Sequence, residues 1–168
     1  EHDKNATAVL VTDSTELANA VSSELEIQIP MLAREEIART SIDNNGKIII
    51  TKEIDEAIAV ANGLAPEHLE ILTKNPLSDL SKVRNAGSIF LGEYSPEPLG
   101  DYFAGTNHVL PTNGTARFAS PLSVDTFIKK SGVIYYTEKG LREYKDDIIR
   151  FAQSEGLTAH ANSVKVRF

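Results

Sequence analysis

The sequence predicts an α/β protein with a mainly parallel sheet flanked by helices and a helical C-terminal tail. Short β-branched runs recur along the first half of the chain, and segments with helical periodicity or helix-capping residues separate them. The end of the chain shows helical periodicity alone. Alternation of strands and helices favours parallel strands whose connecting helices cover the faces of the sheet.

Four apolar runs predict the strands. They occupy residues 7–12, 47–51, 69–73 and 88–92. The runs "TAVLVT" and "KIIIT" are rich in β-branched residues, which is typical of strands buried on both faces. Ligands of such sheets collect beyond the carboxyl ends of the strands.

Helical segments are predicted between these strands. Asp13 and Glu16 are typical of a capped start before "LANAVSSEL", and Pro30 opens the second stretch, "MLAREEIART". In the segment "KEIDEAIAVANGLA", apolar residues at 54, 57, 58 and 61 recur at helical spacing, so we expect one face to be packed. The segment "PLSDLSKVRNAG" has a proline near its start and a glycine after its end, which predicts a helix over 76–86.

Residues 93–122 form a long segment with little periodicity. Loops of this length in a compact domain are usually functional or disordered. Its aromatic and aliphatic residues predict an ordered segment, because we expect these side chains to be buried. Its polar residues are therefore candidates for a site: Glu97, Asp101, Asn107 and His108.

The chain divides into two predicted regions. Residues 1–122 form an α/β, incomplete Rossmann-like portion, and residues 123–168 form a mostly helical tail. In the tail, Leu141, Tyr144, Ile148 and Phe151 lie on one helical face, and Thr158 is a possible cap of a last helix. Such a tail packs on its own sheet or reaches over a partner subunit.

Composition excludes several classes of protein. The chain has 168 residues, no cysteine and a net charge of −7, so disulfides and thiolate metal sites are excluded and nucleic-acid binding is disfavoured. No apolar run approaches the ~20 residues of a membrane span, and the given sequence shows no signal-peptide pattern. We therefore expect a cytoplasmic protein with no nucleic-acid or membrane partner.

Glu67 and His68 are adjacent after Pro66, where a predicted helix has ended, and both can exchange protons near neutral pH. The four histidines are far apart in sequence, so no local metal motif exists. Zinc accepts separated imidazole and carboxylate ligands, but spacing alone does not establish a zinc site. Neither a G-x-G-x-x-G motif nor a P-loop is present.

The segments "GLAPEHLEI", "NAGSIFLGEYSPEPLGDYFAGTNHVLPT", "ARFASPLSV" and "EGLTAHANSV" together resemble histidinol dehydrogenase, in order along the chain. The resemblance implies a zinc-containing, homodimeric enzyme of histidine biosynthesis. Such an enzyme oxidises L-histidinol to L-histidine through L-histidinaldehyde, consumes two NAD⁺, and shares site residues between subunits.

The resemblance also implies roles for individual residues. Glu67 and His68 match the family's proton acceptors; His68 suits the alcohol proton and Glu67 suits activation of water. Asp101 matches a zinc ligand, and His108 lies in the same motif near the substrate. His160 matches a zinc ligand contributed across the dimer, and Glu155 matches a substrate-binding carboxylate. His68, Asp101 and His160 are also expected to contact the substrate.

The amino end departs from the family pattern. The family has a "QAEH" motif whose glutamine and histidine bind zinc, and His2 matches this histidine while the glutamine lies outside the sequence. The family's preceding Rossmann-like domain, which makes most NAD contacts, is also not in the sequence. We therefore expect a C-terminal portion of the enzyme that is inactive alone. One alternative is a stand-alone metal-binding, hydrolase-like module that uses Glu67. The other alternative is a non-catalytic dimerisation unit.

Overall fold

A computed structural model describes residues 1–168 as two compact units, Glu1–Phe127 and Ile128–Phe168. Strands β1 to β4 of the first unit are Val9–Thr12, Lys47–Ile50, His68–Ile71 and Ser88–Leu91. Helices α1 to α5 of the first unit are Thr15–Gln28, Glu35–Asn45, Ile54–Leu64, Pro76–Leu80 and Glu97–Tyr102. The second unit contains α6, Glu138–Ser154, and α7, Thr158–Lys165. The predicted functional division at residues 122 and 123 remains a proposal.

The strands form two separate parallel pairs. β1 pairs with β2, with Val9 opposite Lys47, and β3 pairs with β4, with His68 opposite Ser88. Parallel pairing requires a crossover connection, which α1 and α2 provide for the first pair and α4 provides for the second. The predicted α/β class, with parallel strands flanked by helices, is confirmed.

Both strands of the first pair are less buried than predicted, since three of the four residues of β1 are only half-buried. The expectation that β2 is buried on both faces is wrong, because Ile48 is 39% exposed and Ile50 is 51% exposed. Each sheet has only two strands, so β2 has a neighbour on one side only. The predicted packed face of α3 is confirmed, since Ala57, Ile58 and Ala61 are buried.

Two helix starts differ from those predicted. Ser14 rather than Asp13 caps α1, since its side chain accepts a hydrogen bond of 3.1 Å from the backbone N–H of Leu17. Pro30 lies in a single 3₁₀ turn, Ile29–Met31, and α2 begins only at Glu35. The short serine side chain reaches the orphan N–H groups of the first turn from an extended backbone, which is the geometry of an N-cap.

Helix α4 is shorter than predicted, because it ends at Leu80. The side chain of Asn62 bonds to the backbone beyond this point. Its carbonyl accepts from the N–H groups of Arg84 and Asn85 at 2.7 and 3.2 Å, and its amide donates to the Lys82 carbonyl at 3.0 Å. These backbone groups are satisfied outside a helix, which explains the early end.

The segment 93–122 is ordered but carries more regular structure than predicted, namely α5 and a 3₁₀ turn at Thr115–Arg117. Its aromatic side chains were expected to be buried, but they are exposed. All four are more than 80% exposed: Tyr94, Tyr102, Phe103 and Phe118. No part of the first unit covers these side chains, so their aromaticity did not predict burial.

The second unit is a helical hairpin. Thr137 caps α6, and the chain turns after α6 through Gly156, whose φ of 75° lies in the left-handed region that favours glycine. Leu157 rather than Thr158 occupies the N-cap position of α7. The preceding stretch 128–137 contains no strand. No helix of the chain combines the length and the apolar content that a membrane crossing requires.

A partly buried ion pair between Asp79 and Lys82 in the first unit gives a stability prediction. The hydroxyl of Thr73 donates to Asp79 at 2.7 Å, and this bond, aided by Lys82, holds the pKa of Asp79 below its ordinary value. The stabilisation is complete above the ordinary pKa and is lost as pH falls through the lower pKa of the folded state. We expect Asp79→Asn to lower the thermal midpoint at pH 7.

The difference between wild type and Asp79→Asn should shrink in acid, since the wild-type carboxylate is then protonated as well. Thermal unfolding followed by circular dichroism between pH 2 and 7 measures this difference. The exposed Asp146→Ala is the control. A difference that is constant with pH would contradict the assigned cause.

Candidate active site

His68 is the first residue of β3, directly after the turn that ends α3. Ala65 adopts the left-handed conformation, with a φ of 51°, and ends the helix before Pro66. The carbonyls of Pro66 and Glu67 then accept hydrogen bonds from Gly87 and Ser88, at 3.0 and 2.8 Å. The adjacent pair of Glu67 and His68 is therefore fixed between a helix end and a strand start.

Gly87 is required at this junction for steric reasons. A Cβ atom at Gly87 would lie 2.5 Å from the carbonyl oxygen of Glu67, far inside van der Waals contact. The close approach of these two backbone segments lets the first ladder bonds of β3 and β4 form. The sequence "NAGS" at the start of β4 thus fixes the backbone of Glu67.

One face of the β3–β4 sheet carries the site. Side chains alternate along a strand, and registered neighbours point to the same face. His68 and Glu70 on β3 therefore share a face with Ser88 and Phe90 on β4. The His68 and Phe90 rings lie with their centroids 6.0 Å apart.

Helix α5 brings two carboxylates to His68. Glu97 and Asp101 are one helical turn apart, which places both on one side of the helix. The Nε2 atom of His68 lies 3.6 Å from Glu97 Oε1 and 3.9 Å from Asp101 Oδ1. The ligand atoms of the three side chains all lie within 4.8 Å of one another. We call these three residues the His68 cluster.

The His68 cluster is electrostatically unbalanced. Burial, followed by the hydrogen bond and negative charge of Asp101, raises the pKa of Glu97 above its ordinary value. The Nε2 atom of His68 is buried and has no hydrogen-bond partner. A buried polar atom of this kind is costly unless it has a partner.

The donor set fits a metal ion. Imidazole nitrogen and carboxylate oxygen are ligands that zinc accepts, and a cation would relieve the repulsion between the two carboxylates. Asp101, the zinc ligand implied by the family resemblance, belongs to the His68 cluster. The role of Asp101 remains a prediction.

The other predicted residues of the first unit lie outside the His68 cluster. His2 is exposed, and its backbone carbonyl is 3.5 Å from the Arg34 side chain. His108 is exposed as well, in the segment after α5. Glu67 is half-buried beside His68.

The two predicted residues of the second unit lie near each other. Glu155 and His160 both line a cavity of about 520 Å³ between α6 and α7. The rest of its lining is mainly apolar and includes Tyr144, Ile148 and Phe151 from the predicted face of α6. Both polar residues are exposed, so they are available to a ligand.

Comparison with known proteins decides the family. The model of the histidinol dehydrogenase family matches residues 1–168. The chain belongs to the histidinol dehydrogenase family. It is 58% identical to the histidinol dehydrogenase of Clostridium acetobutylicum and 57% identical to that of Caldanaerobacter subterraneus, each over 168 residues. The predicted resemblance is therefore confirmed.

A solved structure shares this fold. The crystal structure of histidinol dehydrogenase from Elizabethkingia anophelis matches 99% of the chain with a TM-score of 0.83 at 37% identity. The chain covers only 38% of that protein and 39% of the two curated relatives. It thus corresponds to less than half of a histidinol dehydrogenase, as the sequence predicted.

The sequence places Glu97 among the polar candidates but predicts no role for it. The structure places Glu97 nearer to His68 Nε2 than Asp101 is. The signal available in the sequence was the spacing of the two acids by four residues in "EPLGD", behind a proline that starts a helix. Glu70 was also missed; its carboxylate accepts a hydrogen bond of 2.9 Å from the Glu97 N–H.

Proposed function

We propose that this chain carries the proton-transfer residues of a histidinol dehydrogenase. The substrate would be L-histidinol, oxidised by NAD⁺ through L-histidinaldehyde to L-histidine. The observation that carries the proposal is the His68 cluster, in which the "PEHL" histidine meets two carboxylates of α5. Membership of the whole chain in the family supports the same reaction.

His68 is the proposed base for the hydroxyl proton of the alcohol. Removal of a hydride from an alcohol carbon requires loss of this proton. The carboxylates of Glu97 and Asp101, at 3.6 and 3.9 Å from Nε2, would stabilise the imidazolium that forms. Both acids lie on the same short helix, so a single element supplies this stabilisation.

Glu67 is the proposed base for the second oxidation. An aldehyde must add water before it can lose a second hydride, and a carboxylate can take a proton from that water. Glu67 is half-buried, and its backbone is fixed by the bond from Ser88. The two steps therefore use adjacent residues on a rigid junction.

Two cofactors belong to the proposal. Zinc, when bound, would orient the substrate and polarise its oxygen, and NAD⁺ would accept the hydride. Asp101, His160 and His2 would hold zinc in a complete dimer. The main NAD surface would come from the part of the relatives that this chain does not match.

The second unit is proposed to complete the site of a partner subunit. Glu155 and His160 share one cavity wall between α6 and α7, so a single hairpin could deliver both. Glu155 would bind the substrate, and His160 would bind both zinc and substrate. His108 would contact the substrate from the segment after α5.

A chimera tests the proposal. In it, this chain replaces the matching segment of the Clostridium acetobutylicum relative, to which it is 58% identical. We expect NADH formation from L-histidinol by the purified, zinc-loaded chimera. Zinc with hydrolysis but no NADH would favour the hydrolase-like module. A metal-free, inactive dimer would favour the dimerisation unit.

The zinc assignment gives a separate prediction. In the chimera, Asp101→Ala should weaken zinc binding more than ~10–100-fold, the loss typical of residues that only support a ligand. Zinc content after dialysis against graded chelator measures the affinity by elemental analysis. Asp146→Ala, at an exposed position of α6, is the matched control. Equal zinc retention by the two variants would refute the role of Asp101.

A further inference from the structure

The position of α5 depends on its contacts with the β3–β4 sheet. The helix spans only Glu97–Tyr102, and isolated helices below ~12–15 residues are marginal in water. Its two acids meet His68 only if the helix is held at one depth and one rotation. The contacts of α5 with the sheet therefore determine the geometry of the His68 cluster.

Gly100 makes one of these contacts, with the ring of Phe90. A Cβ atom at Gly100 would lie 2.7 Å from Phe90 Cε1 and 2.8 Å from Phe90 Cζ. The Phe90 side chain is only 8% exposed, so its ring is confined. The helix backbone thus rests directly on the far edge of the ring.

The same ring lies against His68. The ring centroids of His68 and Phe90 are 6.0 Å apart at an interplanar angle of 42°, within the range of tilted aromatic contacts. Phe90 therefore lies next to both the backbone of α5 and the imidazole of His68. A displacement of the ring at Gly100 would therefore change its contact with His68.

Backbone conformation does not explain a glycine at this position. Gly100 is not among the glycines with positive φ, which are Gly92, Gly105, Gly114 and Gly156. Glycine inside a helix is less stable than alanine. If the contact with Phe90 were unimportant, Gly100→Ala would stabilise α5.

We propose that Gly100 is a positioning residue of the active site and acts through Phe90. The missing side chain sets the depth at which α5 docks and so holds the carboxylates of Glu97 and Asp101 at His68 Nε2. The bond from the Glu97 N–H to Glu70 fixes the start of the same helix. The contact rests on geometry alone, and only its catalytic consequence rests on the proposed function.

The first test needs no activity. His68 ring signals are recorded by NMR on this chain with labelled histidine, for wild type, Gly100→Ala and the control Gly63→Ala. A Cβ atom at Gly63 would meet nothing within 4 Å. We expect Gly100→Ala to shift the His68 signals, through the moved Phe90 ring, well beyond the change caused by Gly63→Ala. Equal, small changes in both variants would overturn the proposal.

The second test measures rescue in the chimera. We expect Gly100→Ala to lower kcat by ~10-fold or more, since misplacement by about 1 Å can cost ~100-fold, with the KM for NAD⁺ unchanged. Phe90→Leu removes the two ring atoms that the new Cβ would meet. The double variant Gly100→Ala with Phe90→Leu should therefore recover kcat relative to Gly100→Ala. Absence of rescue would overturn the route through Phe90.

A further variant covers a failure of Gly100→Ala to fold. Glu70→Ala removes the hydrogen bond at the start of α5 without adding atoms, and it should shift the His68 signals and lower kcat. Unchanged His68 signals together with an unchanged kcat would overturn the proposal that contacts with the sheet position α5. A chimera that is inactive with the wild-type segment would contradict the proposed function, while the NMR test would still decide the contact.

Discussion

Replacing His68 with asparagine should slow histidinol oxidation ~10²–10⁴-fold in the chimera, the usual range for loss of a general base. Asparagine is close to histidine in size but cannot accept the hydroxyl proton at neutral pH. Both oxidations should slow, because the imidazole lies at the site that both steps share. The rate of NADH formation with histidinol, and separately with histidinaldehyde, measures the two effects.

Glu67→Gln is the matched comparison for His68→Asn. It should chiefly slow oxidation of the aldehyde, since only that step needs an activated water. The isosteric amide keeps the shape of the junction, whose backbone carbonyl bonds to Ser88 at 2.8 Å. Normal aldehyde oxidation by Glu67→Gln would show that the proposed division of roles is wrong.

The elements of the fold were predictable where local chemistry decides them. All four strands form within two residues of the predicted runs, because β-branched segments such as "KIII" favour extended backbone. Helix α4 was overpredicted, because its end depends on Asn62, which lies far away in sequence. Long-range contacts of this kind are not visible in a local pattern.

Burial was the least predictable property. The apolar run of β2 predicts a strand covered on both faces, yet Ile50 is 51% exposed. An apolar pattern indicates that the side chains are more stable when buried. Their exposure depends on which other segments are present to cover them. The same argument applies to Phe103, which is 88% exposed after α5.

The candidate site was predictable in part. The family motifs indicated His68 and Asp101, and the structure brings these two residues together. Glu97 and Gly100 lie in the same motif, but their importance depends on how α5 meets Phe90. Sequence spacing shows that two acids share a helical face, and only the packing shows what that face touches.

The isolated chain should fold but should not oxidise histidinol. Its first unit forms paired strands and a buried core, and its second unit forms a hairpin, so helical and strand signals are expected in circular dichroism. Hydride transfer requires the cofactor and the alcohol carbon to be held together, and such positioning supplies ~7–11 kcal/mol of barrier reduction. This chain carries no dinucleotide-binding motif, so that contribution should be lost even though His68 and Glu67 are in place.

The measurement compares the isolated chain with the chimera at equal concentrations of zinc, NAD⁺ and histidinol, by following NADH absorbance. We expect turnover by the chimera and none above background by the isolated chain. Adding the remaining part of the relative as a separate polypeptide is the informative control, because the two parts can then assemble. Turnover by the isolated chain near the rate of the chimera would mean that its 168 residues hold both cofactor and substrate. The proposed reliance on the unmatched part of the relatives would then be wrong.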